Sequence, residues 1–159
     1  MTTSASDSPT GAPLSRSKLP APQEGFVVTF FLAVSDKRKS SDFYTKVMGG
    51  ELVRDAGDDG ISVIRLANTW LVLHIAAGPS PDAPDVYIAP PIDLQHVSAY
   101  LEIRVADIHQ TYREWSAKGA QFLTEPKDRG DEIRCYMRDP DGHLIEIGQA
   151  TGALAGLAD

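Results

Sequence analysis

The sequence predicts an α+β fold made of two βαβββ modules, and three observations carry that prediction. Two β-rich runs, FVVTFFLAV at 26–34 and SAYLEIRV at 98–105, each lead into an aspartate able to cap a helix. Each predicted helix ends at glycine and is followed by three strand candidates. The last of these follows a charged turn, DPDG at 139–142, whose proline and glycine reverse the chain.

The chain of 159 residues is one domain's length, and 42% apolar with 23% charged residues is ordinary globular composition. A net charge of −7 without any lysine or arginine run argues against nucleic acid as a partner and suits a cationic ligand. No apolar run is long enough for a membrane span. The one cysteine, Cys135, reads as a buried strand residue in a reducing, cytoplasmic setting.

Residues 1–25, rich in serine, proline and threonine, read as a disordered tail, and 150–159 as a frayed one. Between them, 26–149 forms a single domain. In its first module, 26–76, Asp36 caps a helix over 37–48 that places Phe43, Tyr44, Val47 and Met48 on a buried face, and Gly49-Gly50 stops it. Strands are expected at 51–54, 61–66 and 69–76. The linker, 77–96, holds Pro79, Pro81, Pro84, Pro90 and Pro91 and has no sustained period. In the second module, 97–149, Asp107 caps a helix, with Gln110 in the capping-box position and Ile108, Tyr112 and Trp115 facing inward. Strands at 121–124, 132–138 and 144–149 complete it.

The modules repeat residue by residue. Val34-Ser35-Asp36 recurs 71 positions later as Val105-Ala106-Asp107, and Tyr44 recurs as Trp115. Strand parity then assigns faces. Phe30, Leu32 and Val34 match Leu101, Ile103 and Val105 as one apolar face, joined by Leu71, Leu73, Ile75, Ile145 and Ile147. The opposite face receives Phe31, Trp70 and His74 from the first module. From the second it receives Tyr100, Glu102, Arg104, Arg134, Tyr136 and Glu146.

Paired βαβββ modules, a Val-x-Asp sequence before each helix and a closing DPDGHLIEIGQ resemble the vicinal oxygen chelate superfamily. That superfamily includes glyoxalases, extradiol dioxygenases, fosfomycin-resistance transferases and bleomycin-binding proteins. The resemblance covers 26–149 and implies an open, barrel-like mixed sheet with helices on its convex face and a ligand on its concave face. It also implies a metal site with one ligand from each opening and each closing strand. Carried over, those positions are Thr29, Tyr100, Val72 and Glu146, of which only Glu146 is a competent ligand. No cofactor is therefore expected. A divalent metal would need a displaced set of His74, Glu102 and Glu146. His96, His109 and His143 are expected in solvent.

The expected function is small-molecule binding of the glyoxalase/bleomycin-resistance type, without a metal. Phe31, Trp70, His74, Tyr100, Arg104, Arg134 and Tyr136 are the candidate ligand contacts, and Glu146 with Glu102 is the candidate proton-handling pair, because close carboxylates drive one pKa upward. The alternative is a lyase, isomerase or dioxygenase that uses Glu146. Pairing into a homodimer follows from the resemblance alone.

Overall fold

The computed structural model describes residues 20–57 and 60–151; most of the predicted tails, 1–19 and 152–159, lie outside the described residues. Strands β1 (Phe30–Val34), β2 (Glu51–Asp55), β3 (Ser62–Leu66) and β4 (Thr69–Ile75) form a mixed sheet in the order β1-β4-β3-β2, with β1 parallel to β4. A second mixed sheet holds β5 (Leu101–Arg104), β6 (Gln121–Phe122), β8 (Glu132–Arg138) and β9 (Leu144–Ala150) in the order β5-β9-β8-β6. The two-residue β7 (Lys127–Asp128) pairs with β8 and is additional to the predicted strands. The sheets are separate and unclosed, each with the same internal order, as the repeat requires.

The apolar parity set packs as predicted. Leu32, Val34, Leu71, Leu73, Cys135, Met137, Ile145 and Ile147 form one buried core with Phe43, Tyr44 and Ile108 from the helices. Burying each large side chain contributes about 1.5–3 kcal/mol. The first helix runs as α1 (Lys37–Asp42) and continues as a π-helical turn over Phe43–Val47. Phe43, Tyr44, Val47 and Met48 all reach the core. Asp36 and Asp107 cap α1 and α2 (Ile108–Ala117) by accepting from Lys39 N and Gln110 N. The expected capping box is only half made, because the Gln110 side chain donates to Glu114, one turn on, at 2.7 Å.

Both opening strands are shorter than their β-rich sequences. β1 starts at Phe30 and β5 at Leu101, and Phe26 is 87% exposed. The cause is the partner: among the described residues β1 pairs only with β4 and β5 only with β9, and those ladders begin at Phe30↔Leu71 and Leu101↔Ile145. Propensity without a partner strand does not make a ladder.

The β3–β4 turn places Ala67 at φ 50°, the one non-glycine residue in the left-handed region among the described residues. A side chain is disfavoured there. Ala67→Gly should therefore stabilise the chain, by about 0.5 kcal/mol after the entropy cost of glycine, read as a higher urea midpoint. A lower midpoint would contradict the turn geometry.

The two modules are tied together through the DPDG turn. Asp139, 5% exposed, accepts from the Tyr44 hydroxyl at 2.8 Å and from the Asp141 and His143 amides at 2.9 Å each. Asp141 accepts from the Ser35 amide and hydroxyl through Oδ1 and from the Ser40 hydroxyl through Oδ2. The His143 ring lies 2.7 Å from Ala33 O, which corrects its expected place in solvent. Burial pushes the Asp141 carboxyl up, but the Ser35 and Ser40 hydrogen bonds outweigh it and leave the pKa below 3.8. A depressed folded pKa contributes stability above the unfolded value and loses it as pH falls through the folded one. Asp141→Asn should thus be less stable than wild type at neutral pH, and the gap should close on acidification below about pH 4. A gap that is independent of pH would reject the charged clasp.

Candidate functional site

Glu146 reaches its position by local logic. The turn starts β9 at Leu144, Ile145 and Ile147 enter the core, and the residue between them must point to the other face. On one side its rung partner is Glu102 on β5, on the other Tyr136 on β8. Glu146 is nonetheless only 3% exposed, because its neighbours cover it. The Tyr100 and Tyr136 hydroxyls are within hydrogen-bonding reach of its carboxylate. Glu146's charge and hydrogen bond raise the Tyr100 pKa; burial first, then the same carboxylate, pushes Tyr136 up to about 12. Both phenols stay protonated at neutral pH, donate toward Glu146 and keep their oxygen lone pairs for a ligand. Glu146→Gln should lower the Tyr136 pKa in an ultraviolet titration while leaving the part due to burial; an unchanged value would mean that the carboxylate does not reach it.

Below the tyrosines lies a charge ladder. Arg104 pairs with Glu102 at 2.8 Å and approaches Glu132 at 3.8 Å; Arg134 pairs with Glu132 at 3.0 Å and approaches Glu146 at 3.9 Å. Gly148 has no side chain there, and the floor between Glu102 and Glu132 stays open: an added Cβ would sit 3.7 Å from Glu132 Oε2. Carboxylate oxygens of Glu102, Glu132 and Glu146 lie within 4.8 Å of one another. Two guanidinium groups already pair with that trio and offset two of its three charges, so a cation would have to compete with them. The positions of the superfamily's own metal site fit no better, since Val72 offers no donor and Thr29 only a hydroxyl.

Above the tyrosines opens a pocket of about 440 Å³, lined in part by Leu94, Val97, Tyr100, Leu123, Tyr136 and Leu144. Its size is that of a small-molecule site. The Tyr100 and Tyr136 rings meet edge to face with centroids 6.5 Å apart. Set at 75° to one another, the rings form an angled apolar wall with two polarised oxygens.

Parity thus brings Tyr100, Glu102, Arg104, Arg134, Tyr136 and Glu146 together on one sheet face. Phe31, Trp70 and His74 belong to the other sheet and are not among the walls of this pocket. His74 stacks on Phe31 at 5.9 Å, and its Nδ1 lies 2.5 Å from Ile75 O. Among the described residues it takes no part in the carboxylate group, whose third member is Glu132 rather than the expected histidine. Glu132 was legible from parity, being in phase with Arg134 and Tyr136, but it lies at the strand's end, where an acidic residue reads as solvated. Leu94 and Val97 could not be found that way, because a linker has no period. His96 pairs with Asp93 at 2.6 Å and is exposed, and His109 is exposed too.

Two mixed sheets of equivalent order, apolar faces turned to two helices and a polar face carrying one buried carboxylate define a paired-module fold. The family model of the Glyoxalase/Bleomycin resistance protein/Dioxygenase superfamily matches residues 26–147, and the chain belongs to that superfamily. It is 29% identical over 150 residues to a "Probable lactoylglutathione lyase" of Vibrio parahaemolyticus, covering 84% of this chain and 96% of that protein. In fold it is similar to TioX from Micromonospora sp. ML1, with a TM-score of 0.62 at 19% identity over 80% of this chain and 100% of that one. It is similar also to TnmS3, an antibiotic binding protein from Streptomyces sp. CB03234, with a TM-score of 0.58 at 23% identity over 82% of this chain and 100% of that one.

Proposed function

We propose that the chain binds a small aromatic molecule bearing a cationic or hydrogen-bond-donating nitrogen, and does so without a metal. The observation that carries the reading is the Tyr100–Tyr136 pair, which adjoins the buried Glu146 and forms a wall of the 440 Å³ pocket. The rings supply stacking area. The phenol oxygens, close to the Glu146 charge, present electron-rich acceptors to the ligand. Because Glu146 lies beside the tyrosines, its charge reaches the ligand through them. Titration with N-methylacridinium, a planar cation, tests this: binding should weaken about tenfold in Tyr136→Phe, since the electron-rich phenol oxygen and part of the ring's attraction for the cation are lost. Equal affinity in the variant would remove the tyrosines from the site.

A second reading, a lyase, isomerase or dioxygenase using Glu146, is favoured by the curated relative's name and by the carboxylate trio. Metal content separates the two. Protein purified without chelator should carry no near-stoichiometric zinc, iron, manganese or nickel. One such ion per chain, lost in Glu146→Ala, would favour the enzyme and reject the metal-free site.

We also propose a homodimer in the cytoplasm. The exposed aromatic side chains Phe31 and Tyr100, 47% and 46% accessible, support the pairing; the unpaired Cys135 supports a reducing compartment. Among the described residues no helix is long and apolar enough to cross a membrane.

A further inference from the structure

The end of the linker does more than connect the modules. Asp93 accepts from the Gln95 amide at 2.8 Å and lies 2.6 Å from the His96 ring, so 93–96 closes on itself as a small turn. That turn lies across the second module and is held to it at two points. Arg138 bridges them: its Nη2 donates to Leu94 O and its Nη1 to Gly142 O at 2.7 Å. The Leu94 side chain also rests on Gly142, where an added Cβ would come within 2.7 Å of Leu94 Cδ2. Gly142 has φ 93°, so both its backbone and its lack of a side chain serve this contact.

Hollows lie on both sides of the turn. Leu94, Gln95 and Val97 face the 440 Å³ pocket of Tyr100 and Tyr136, which the Arg138 side chain also lines. Asp93, His96 and Val97 face a second hollow of about 250 Å³ against Gly142 and His143. A segment with space on either side lacks the dense packing that immobilises a core strand, so its position depends on the few contacts that pin it. Among the described residues, both side-chain hydrogen bonds of Arg138 go to backbone carbonyls rather than to a carboxylate, which makes it a clamp on the chain's path.

We propose that residues 94–97 form a movable wall of the aromatic pocket and that Arg138 is the positioning residue that sets where the wall stands, and hence which ring sizes the pocket admits. This rests on the ligand reading above. With Arg138 in place the wall closes on a ligand of fixed width; without it the wall can retreat into the smaller hollow.

The test has two arms, both on the full chain. Hydrogen exchange should show the Gln95 amide, whose bond to Asp93 closes the turn, exchanging about tenfold faster in Arg138→Ala than in wild type, with β3 and β4 unchanged; Arg138→Lys, which can keep one of the two bonds, should fall between. In the second arm, benzyltrimethylammonium and N-methylacridinium are titrated into each protein. The ratio of their Kd values should shift about tenfold toward the larger cation in Arg138→Ala and less in Arg138→Lys. Unchanged exchange at Gln95, or faster exchange with an unchanged Kd ratio, would overturn the proposal. If wild type binds neither cation the ligand reading fails instead, and the exchange arm alone decides whether Arg138 pins the wall. Should Arg138→Ala not fold, the Lys variant carries both arms.

Discussion

Asp139→Ala should destabilise the chain by about 3 kcal/mol, measured by urea denaturation, because three donors lose their acceptor at once. The Tyr44 hydroxyl belongs to a side chain that is 1% exposed and cannot reach water without opening the core. The Asp141 and His143 amides would be left without the side chain that organises the turn. The loss would spread, since Asp141 in the same turn holds Ser35 and Ser40 of the other module. Tyr44→Phe removes one of the three bonds and should cost about 1–2 kcal/mol. Asp139 lies in the turn that starts β9, so Asp139→Ala should also weaken ligand binding indirectly, whereas Tyr44→Phe, on the helical segment of the other module, should not. An Asp139→Ala protein within about 0.5 kcal/mol of wild type would show that the turn is held by its backbone alone.

Glu146→Gln should have the largest effect on binding, about tenfold or more against a planar cation, at a modest cost in stability. The glutamine keeps the shape and one acceptor oxygen. It removes the charge that polarises both phenols and places an amide donor where one of them donates. The stability cost should be about 1–2 kcal/mol, below that of a broken buried ion pair, because Arg134 keeps its shorter contact to Glu132 at 3.0 Å when the 3.9 Å approach to Glu146 is lost. Isothermal titration with N-methylacridinium and urea midpoints read the two quantities separately. A Gln variant unchanged in both would remove Glu146 from the site, and with it the basis of the tyrosine mechanism.

These expectations divide into what neighbouring residues specify and what depends on distant ones. The period of two in Leu144-Ile145-Glu146-Ile147 needs only itself to separate a core face from a polar face, and Ile145 and Ile147 are fully buried as it requires. Asp36 and Asp107 cap their helices through amides three residues on. The 71-residue repeat could be read because equal modules bury equal faces, and both sheets have the same strand order.

By itself the sequence determined the two modules, their helices, the buried faces and the side on which Glu146 lies, since each follows from patterns a few residues long. Only the tertiary structure decided that His74 stays with Phe31 on the first sheet while Glu132 joins Glu102 and Glu146 on the second. It alone decided that Asp139 and Asp141 clasp the other module, and that an aperiodic linker supplies a pocket wall through Arg138. The physical reason is that those pairings join residues 44 to 106 positions apart or compare two sheets. Strand register, loop closure and the fit of whole surfaces set them, and none of these leaves a local signature in the chain.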